Sequence, residues 1–284
     1  MKLFLTIDLE DWYNAHDYAI PKESWDECQS RVEKNTIELL NLLSKYDVKA
    51  VFFVLGYIAK RHPELVKDIS ERGHEIASHG YWHDKLYDLN KDELKSDLKM
   101  SLQHLEGITD KKVRYYRAPS WTYDKRSEYL HDILKGEGIL VDSSVQPFWT
   151  PLSGITGASF EPYYPVINEK KSRVLEFPVP VYKIGPLKIP FCGGFYFRLM
   201  PYWFIDFCLK DTLKRRDCFV YIHPWEIDSE QPKPRVSLLM KFIHNYGIKG
   251  NKRKLERLLK NYKFSDPKKF GIGELTDDEY KLTE

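Results

Sequence analysis

The stretch AVFFVLGYIAKRHPELVKDISERGHEIASHGYWH, residues 50–83, decides the fold. It opens on an apolar run of β-branched and aromatic residues, 50–55, which predicts a buried strand. A helical pattern from Pro63 to Arg72 follows and stops at Gly73, and a second short strand runs over 74–78. Strand, helix and strand in this order predict parallel strands joined by a crossover helix.

The same alternation continues on both sides of that stretch. Strands are predicted at 3–7, 113–117, 139–141 and 218–223, and helices at 33–46, 91–106, 125–135 and 201–215. Residues 150–190 break the pattern with proline, glycine and aromatic residues, and we interpret them as an irregular β-rich insertion beside a substrate groove. Two helices, at 237–246 and 251–261, close the alternation. The pattern predicts an α/β fold in a single domain.

The composition excludes several classes of protein. Of 284 residues, 42% are hydrophobic and 30% are charged, which is enough apolar material for a sizeable core. The formal net charge of +2, from 44 basic and 42 acidic residues, argues against nucleic acid as a partner, because nucleic-acid binding needs a marked basic excess. The cysteines form no CxxC pair, so neither a zinc knuckle nor a disulfide scaffold is indicated. They are Cys28, Cys192, Cys208 and Cys218.

The sequence shows neither a membrane span nor a secretion signal. Residues 1–7 are too few for the apolar region of a signal peptide, and nothing elsewhere approaches the roughly 20 apolar residues of a spanning helix. We therefore expect a cytoplasmic protein without a transmembrane segment. The basic residues concentrated from Lys249 to Arg257 favour a solvated helix face, and the alternative is a peripheral contact with anionic lipid at the inner membrane face.

Two histidines stand four residues apart after a predicted strand. The spacing of His79 and His83 predicts two imidazoles on one face of a helical turn, an arrangement that binds one zinc-like cation. The pair therefore predicts two ligands of a divalent metal. His74, five residues upstream, is assigned to structure.

Three carboxylates follow the first predicted strand, in Asp8-Leu9-Glu10-Asp11-Trp12. Charge is costly there unless it is paired or bound to a metal. One carboxylate would complete a His-His-acid metal site, and a second, not bound to the metal, would act as the base that deprotonates a water molecule. Polar residues also follow later strands, and the carboxyl ends of parallel strands meet at the edge where such folds place active sites. These residues are Arg117, Asp142 and His223.

The residues after the strands resemble the motifs of the polysaccharide deacetylases of carbohydrate esterase family 4, which share the NodB homology domain. The five matching segments are Thr6-Ile7-Asp8, His79-Gly80-Tyr81-Trp82-His83, Arg117-Ala118-Pro119-Ser120-Trp121, Val141-Asp142-Ser143-Ser144 and Val220-Tyr221-Ile222-His223-Pro224. Further segments resemble the subgroup associated with exosortase and exopolysaccharide loci. They are Asp8-Leu9-Glu10-Asp11-Trp12, Glu176-Phe177-Pro178, Gly193-Gly194-Phe195-Tyr196-Phe197-Arg198 and His223-Pro224-Trp225-Glu226-Ile227-Asp228.

The resemblance implies a distorted (β/α)7-type barrel and a hydrolase that removes N-acetyl groups from an amino sugar of a glycan or glycan precursor. The single domain, 1–284, would comprise a barrel at about 1–228, an insertion near 150–200 and a C-terminal helical extension at about 229–284. One divalent metal ion is implied, zinc in the first place, with cobalt, nickel or manganese as alternatives. The partner would be an N-acetylated sugar that is polymeric, lipid-linked or nucleotide-linked.

The resemblance also assigns roles residue by residue. The catalytic residues would be Asp8 as base, Arg117 as its orienting partner, His223 as the acid that protonates the leaving amine, and Asp142 as the partner of His223. The metal ligands would be His79 and His83, with a third ligand supplied by Glu10 or Asp11. The substrate-binding candidates are Trp12, Trp82, Pro119, Trp121, Gly194, Tyr196 and Trp225.

The choice of third ligand bears on the reaction. Most family members place the base and the metal-binding aspartate side by side, whereas Leu9 follows Asp8 here. A related branch, which contains imidase-like enzymes, spaces the two by one residue and favours Glu10, while a tight turn would let Asp11 reach the metal. Hydrolysis of a cyclic amide or imide is therefore an alternative reaction. A non-catalytic glycan-binding module is a third hypothesis.

Overall fold

The computed structural model describes residues 1–16, 18–167 and 169–271. Its strands are β1 (Leu3–Leu9), β2 (Val51–Val54), β3 (Glu75–Ser78), β4 (Tyr115–Tyr116), β5 (Val141–Asp142), β6 (Val166–Ile167), β7 (Lys170–Lys171), β8 (Leu175–Glu176), β9 (Val181–Ile184), β10 (Leu187–Pro190) and β11 (Cys218–Ile222). Its α-helices are α1 (Val32–Lys45), α2 (Gly56–Arg61), α3 (Pro63–Glu71), α4 (Lys91–Thr109), α5 (Leu130–Gly136), α6 (Gly194–Leu199), α7 (Tyr202–Thr212), α8 (Leu238–Asn245) and α9 (Ile248–Asn261).

A seven-stranded parallel sheet forms the centre of the fold. Its strand order is β11-β1-β2-β3-β4-β5-β8. Ile7 of β1 pairs with Phe52 of β2, which in turn pairs with Ile76 of β3. β1, β2 and β11 are buried along their whole length, as expected for parallel strands that are covered on both faces. The predicted α/β fold with a (β/α)7-type parallel sheet is confirmed.

Irregular chain contacts both edges of the sheet. At the β11 edge, the backbone N–H of Tyr221 donates to the carbonyl of Cys192 over 3.0 Å. At the β8 edge, Tyr163 and Glu176 exchange backbone hydrogen bonds of 3.0 and 2.8 Å. Tyr163 belongs to the segment 150–190 that was predicted as a β-rich insertion, and Cys192 follows it directly. That segment contains the β6–β7 and β9–β10 ladders, and it also supplies β8, an edge strand of the central sheet, which the prediction did not include. This segment thus covers backbone groups that an exposed edge would leave unpaired.

Phe270, near the end of the described chain, packs inside the barrel. Its ring lies 5.5 Å from that of Phe4, 5.9 Å from Phe53, 4.9 Å from Phe177 and 5.6 Å from Phe219. Burial of such a side chain stabilises a fold by about 1.5–3 kcal/mol. The part of the predicted C-terminal extension that reaches Phe270 therefore shares the core of the barrel, while residues 272–284 lie outside the described residues.

Within the described ranges, every helix is too short or too polar to cross a bilayer. The four cysteines are free thiols, and Cys192, Cys208 and Cys218 are buried.

Candidate active site

A cavity of about 180 Å³ opens at the carboxyl ends of the sheet strands. β1 contributes Asp8, and Glu10 follows that strand directly; His79 and His83 lie in the loop after β3, and His223 follows β11. All five residues line the cavity. Parallel strands that end at one edge have brought together side chains that are far apart in sequence.

His79 is fixed as a neutral imidazole with one free nitrogen. Its backbone N–H donates to the carbonyl of Val54, and its ring Nδ1 lies 2.8 Å from the carbonyl oxygen of Arg117. Because a carbonyl can only accept, Nδ1 carries the proton and Nε2 keeps its lone pair. Burial lowers the pKa of His79 to about 4, so the ring stays uncharged at neutral pH. This is the protonation state that a metal ligand needs.

His83 reaches the cavity from a loop. The prediction that a helical turn carries both histidines is wrong: residues 79–83 are irregular, with φ of +73° at Gly80 and +58° at His83. The carboxylate of Asp97, from α4, accepts the backbone N–H groups of residues 81 and 82 at 2.8 and 3.0 Å and holds this loop. The two rings nevertheless meet, with centroids 5.4 Å apart.

Glu10 is the carboxylate that joins the two histidines. One ligand atom from each of Glu10, His79 and His83 lies within 4.8 Å of the others, and all three residues are buried. Glu10 Oε2 is 2.7 Å from Nε2 of His83, and Oε1 accepts the indole N–H of Trp225 at 3.1 Å. Burial raises the pKa of Glu10, but the nearby His83, His223 and His79 bring it well below its ordinary value. Two imidazoles and one carboxylate fit a zinc-like divalent cation.

Asp11, the other predicted third ligand, is occupied elsewhere. Its Oδ2 accepts hydrogen bonds from Ser30 Oγ at 2.7 Å and from the backbone N–H groups of Arg31 and Val32 at 2.8 and 3.1 Å. Its Oδ1 accepts the backbone N–H of Trp12 at 2.9 Å. Asp11 therefore stabilises the start of α1 and lies outside the ligand group, which corrects that alternative.

Asp8 and Arg117 form a buried ion pair. Nη1 of Arg117 lies 2.5 Å from Asp8 Oδ1, and both side chains are almost fully excluded from solvent. The guanidinium also donates to Oγ1 of Thr6 and Oγ of Ser143, and it lies 4.0 Å from the ring centroid of Phe53. These contacts fix the orientation of the Asp8 carboxylate.

His223 is positioned by Glu226. Its Nδ1 lies 3.0 Å from Glu226 Oε2, and Arg198 donates to Glu226 Oε1 over 2.7 Å. Its Nε2 faces Asp8 Oδ2 at 3.8 Å and Glu10 Oε1 at 3.6 Å. Burial lowers the pKa of His223, but the carboxylates of Glu226, Glu10 and Asp8 outweigh it and raise the pKa to about 9. The ring is therefore protonated at neutral pH and can act as an acid.

The predicted pairing of Asp142 with His223 is wrong. Asp142 pairs in register with Glu176 across β5 and β8, and the hydroxyl of Ser144 donates to its Oδ1. Both carboxyl groups are fully buried. Burial raises the pKa of Asp142 to about 7 and that of Glu176 well above its ordinary value. Two adjacent carboxyl groups that are excluded from solvent cannot both ionise, because their negative charges would repel each other. They therefore share one proton and titrate as a pair.

The predicted substrate-binding residues divide into two groups. Those that line the cavity are Trp121, Gly194, Tyr196 and Trp225. The other three lie outside its lining. Trp12 is a core residue whose indole N–H donates to the carbonyl of Gln29, Trp82 packs against Tyr57 and Tyr81, and Pro119 lies outside the cavity lining.

Two site residues were missed from the sequence. Glu226 stands three residues after His223, and that spacing was the available signal. His16 lines the cavity, stacks on His83 with ring centroids 4.6 Å apart, and hydrogen-bonds Oγ of Ser120 over 2.8 Å. Burial lowers the pKa of His16 to about 3, so it is neutral. Only its position in the loop after the acidic cluster could have indicated it.

Two protein-family models match the ranges of the chain that contain most of these site residues. The family model described as polysaccharide deacetylase matches residues 24–134, which include His79, His83 and Arg117. This part of the chain is therefore similar to the polysaccharide deacetylases. A second family model, described as a domain of unknown function (DUF3473), matches residues 143–270, which include His223. Asp8 lies before both matches.

The chain is also similar to curated proteins of assigned function. A peptidoglycan-N-acetylglucosamine deacetylase of Bacillus cereus is 33% identical over 84 residues, which are 30% of each chain. The chain spans about a third of the length of the first curated relatives it matches.

Two solved structures share the fold over most of the chain. One, assigned to the polysaccharide deacetylases, comes from Mycobacterium smegmatis. It is 21% identical, with a TM-score of 0.56 over 93% of this chain and 91% of that one. The other, the allantoinase Puue, is 14% identical, with a TM-score of 0.53 over 91% of this chain and 82% of that one.

Proposed function

We propose that the protein hydrolyses the N-acetyl group of an amino sugar within a glycan or glycan precursor, using one divalent metal ion. The observation that carries the proposal is a single cavity that combines a candidate metal-ligand group, a carboxylate held by an arginine and a histidine held by a carboxylate. The contributing residues are Glu10, His79, His83, Asp8, Arg117 and His223. The relative that acts on N-acetylglucosamine in peptidoglycan supports the class of substrate.

Asp8 is the base of the proposed reaction. Arg117 holds Asp8 Oδ1, and Oδ2 remains on the side of His223. Asp8 takes a proton from the water molecule that attacks the acetyl carbonyl carbon, as a positioned carboxylate can do.

His223 is the acid that completes the reaction. Its Nδ1–H is held by Glu226, so Nε2 carries the proton that faces the cavity. Transfer of this proton to the departing nitrogen allows the C–N bond to break, which yields acetate and the free amine.

Glu10, His79 and His83 would hold the metal ion. When bound, the ion polarises the acetyl carbonyl and lowers the pKa of the attacking water. We propose zinc, because two imidazoles and one carboxylate with positions left open are typical of catalytic zinc sites, and cobalt, nickel and manganese are the alternatives.

A second cavity of about 270 Å³ adjoins the site and supports a substrate longer than one sugar. The two cavities share Thr150, Leu152 and Ser153 in their linings. Trp149 lines the second cavity with 69% of its surface exposed. The hydroxyl of Tyr87 donates to the carbonyl of Leu152 over 3.0 Å and holds this segment. The exposed face of Trp149 would contact the apolar face of a neighbouring sugar ring.

The alternative is hydrolysis of a cyclic amide or imide. The position of Glu10 beside His79 and His83, two residues after Asp8, favours this reaction, because the spacing resembles the imidase-like branch. We also propose that the protein belongs to the subgroup associated with exosortase and exopolysaccharide loci, because the segments quoted for that subgroup resemble it.

One screen separates the two reactions. The protein, reconstituted with zinc, is incubated with chito-oligosaccharides, lipid-linked N-acetylated sugars, sugar nucleotides and a panel of cyclic imides. We expect acetate and a free amine in equal amounts from one of the sugar classes. Ring opening of an imide without acetate release from any sugar would overturn the proposal.

A further inference from the structure

Helix α8 exposes large apolar side chains to solvent. Leu238, Leu239 and Phe242 are 85%, 62% and 50% exposed, and Tyr246, just after the helix, is 41% exposed. Leu238 and Phe242 are four residues apart and so lie on one face of the helix. Large exposed apolar side chains grouped on one helix of a folded protein indicate an interaction surface. We call these four residues the α8 patch.

The α8 patch borders the mouth of the active-site cavity. The ring of Phe195 lies 6.1 Å from that of Phe242 and 6.5 Å from that of Tyr246. Phe195 and Ile243 both line the cavity. Whatever covers the α8 patch therefore lies beside the entrance to the site.

The helix is anchored on its opposite face. The guanidinium of Arg198 donates to the carbonyls of Ile243, His244 and Tyr246 at 3.1, 2.8 and 2.6 Å. The ring of His244 stacks on that of Trp225 with centroids 4.1 Å apart. The patch is thus presented by a helix whose other side is fixed to the catalytic region.

The chain around the patch is basic. Between Glu230 and Glu256 the sequence contains no acidic residue. The exposed basic residues near α8 are Lys233, Arg235, Lys241 and Lys249. Lys233 and Lys249 line a cavity of about 200 Å³ together with Asn245, the last residue of α8. Positive charge therefore flanks the apolar surface.

We propose that the α8 patch inserts into the surface of a membrane that contains anionic lipids. An exposed apolar helix face flanked by lysine and arginine has the two features by which helices bind such surfaces: apolar contact with the acyl boundary and attraction to anionic headgroups. A symmetric dimer through the same patch would place its basic flanks against each other, which is unfavourable. An anionic membrane surface would instead attract the basic residues.

The helix that was considered for lipid contact from the sequence is α9, and its residues are largely engaged. Leu255, Leu258 and Leu259 are buried, Lys252 pairs with Glu38, and Lys254 donates to backbone carbonyls of residues 197, 198 and 200. The structure favours α8 instead.

Vesicle co-sedimentation of the full chain tests the proposal. We expect binding to vesicles of phosphatidylcholine mixed with phosphatidylglycerol, weaker binding at high salt, and little binding to phosphatidylcholine alone. The double substitution Leu238→Glu with Phe242→Glu should weaken binding by about tenfold or more. The matched control is Ile184→Glu with Leu187→Glu, which places the same two charges at side chains that are 50% and 63% exposed on the β9–β10 hairpin and should bind as the unsubstituted protein does.

Thermal unfolding of each variant verifies that it is folded, and light scattering reports the oligomeric state. Three results would each overturn the proposal: no binding of the unsubstituted protein, equal loss in the control with glutamates at 184 and 187, or a dimer that the substitutions at 238 and 242 dissociate. The measurement needs no substrate, so it is independent of the proposed deacetylase activity.

Discussion

Glu226 Oε2 lies 3.0 Å from Nδ1 of His223 and also accepts the backbone N–H of that residue at 3.0 Å. Arg198 donates to the other oxygen of the same carboxylate over 2.7 Å. The carboxylate, ring and guanidinium thus form one chain of charge-assisted hydrogen bonds. This chain fixes which nitrogen of His223 faces the cavity and keeps the ring protonated.

The first prediction concerns the charge of Glu226. Glu226→Gln keeps the shape of the side chain but removes the carboxylate that raises the pKa of His223. Because the protonated form is then lost at lower pH, the alkaline limb of the pH–rate profile should move to lower pH. We also expect kcat/KM to fall by about 10²-fold, the range for loss of a general acid. Asp142→Asn serves as the control and should leave the alkaline limb in place, and the reverse pattern would contradict the assignment.

The second prediction separates Glu10 from Asp11. Glu10→Gln should reduce the bound zinc, measured by metal analysis after dialysis, because one of three ligands loses its charge. Asp11→Asn should retain the zinc but lower the free energy of unfolding by about 1–2 kcal/mol, because its oxygens accept hydrogen bonds at the start of α1. Loss of metal in Asp11→Asn with retention in Glu10→Gln would reverse the two assignments.

The third prediction concerns the Asp142–Glu176 pair. A carboxyl group whose pKa is raised by folding contributes stability that is present below its unfolded pKa and is lost as the pH rises through its folded pKa. Because burial raises the pKa of Asp142 to about 7 and that of Glu176 well above its ordinary value, thermal stability should fall between pH 5 and pH 8. Glu176→Gln supplies an amide N–H in place of the shared proton and should flatten this decline. Equal pH dependence in both proteins would contradict the shared proton.

The fourth prediction tests the second cavity. Trp149→Ala removes the exposed aromatic face, so kcat/KM for a chito-tetrasaccharide should fall by about tenfold, while activity on a monosaccharide should change little. The matched control is Trp203→Ala, another tryptophan that is 70% exposed but lies on α7. Equal effects of the two substitutions would show that Trp149 does not contact the sugar.

The order of strands and helices was predictable because apolar runs such as 50–55 and helical patterns such as 91–106 are local signals. The cluster at the strand ends was predictable for a related reason. Asp8, His79 and His223 each lie in or directly after the end of an apolar strand, and parallel strands end at one edge. These signals depend on residues that are close in sequence.

The contacts that the sequence predicted wrongly, or did not predict, depend on tertiary geometry. The loop at 79–83 is held by Asp97 of α4, which accepts hydrogen bonds from the loop backbone. The sequence spacing of the histidines gives no indication of this contact. Asp142 faces Glu176 because of the register of β5 and β8, which a sequence cannot fix when the strands have two residues each. Trp12 and Trp82 looked suitable for sugars, but aromatic residues fill cores as readily as they line grooves.

The measurement that tests the central claim most directly is acetate release by the zinc-reconstituted protein and by Asp8→Asn, with the bound metal quantified in both. The account predicts that Asp8→Asn keeps its zinc, because Asp8 lies outside the ligand group, and loses acetate release by about 10²-fold or more. Full acetate release by zinc-loaded Asp8→Asn would contradict it.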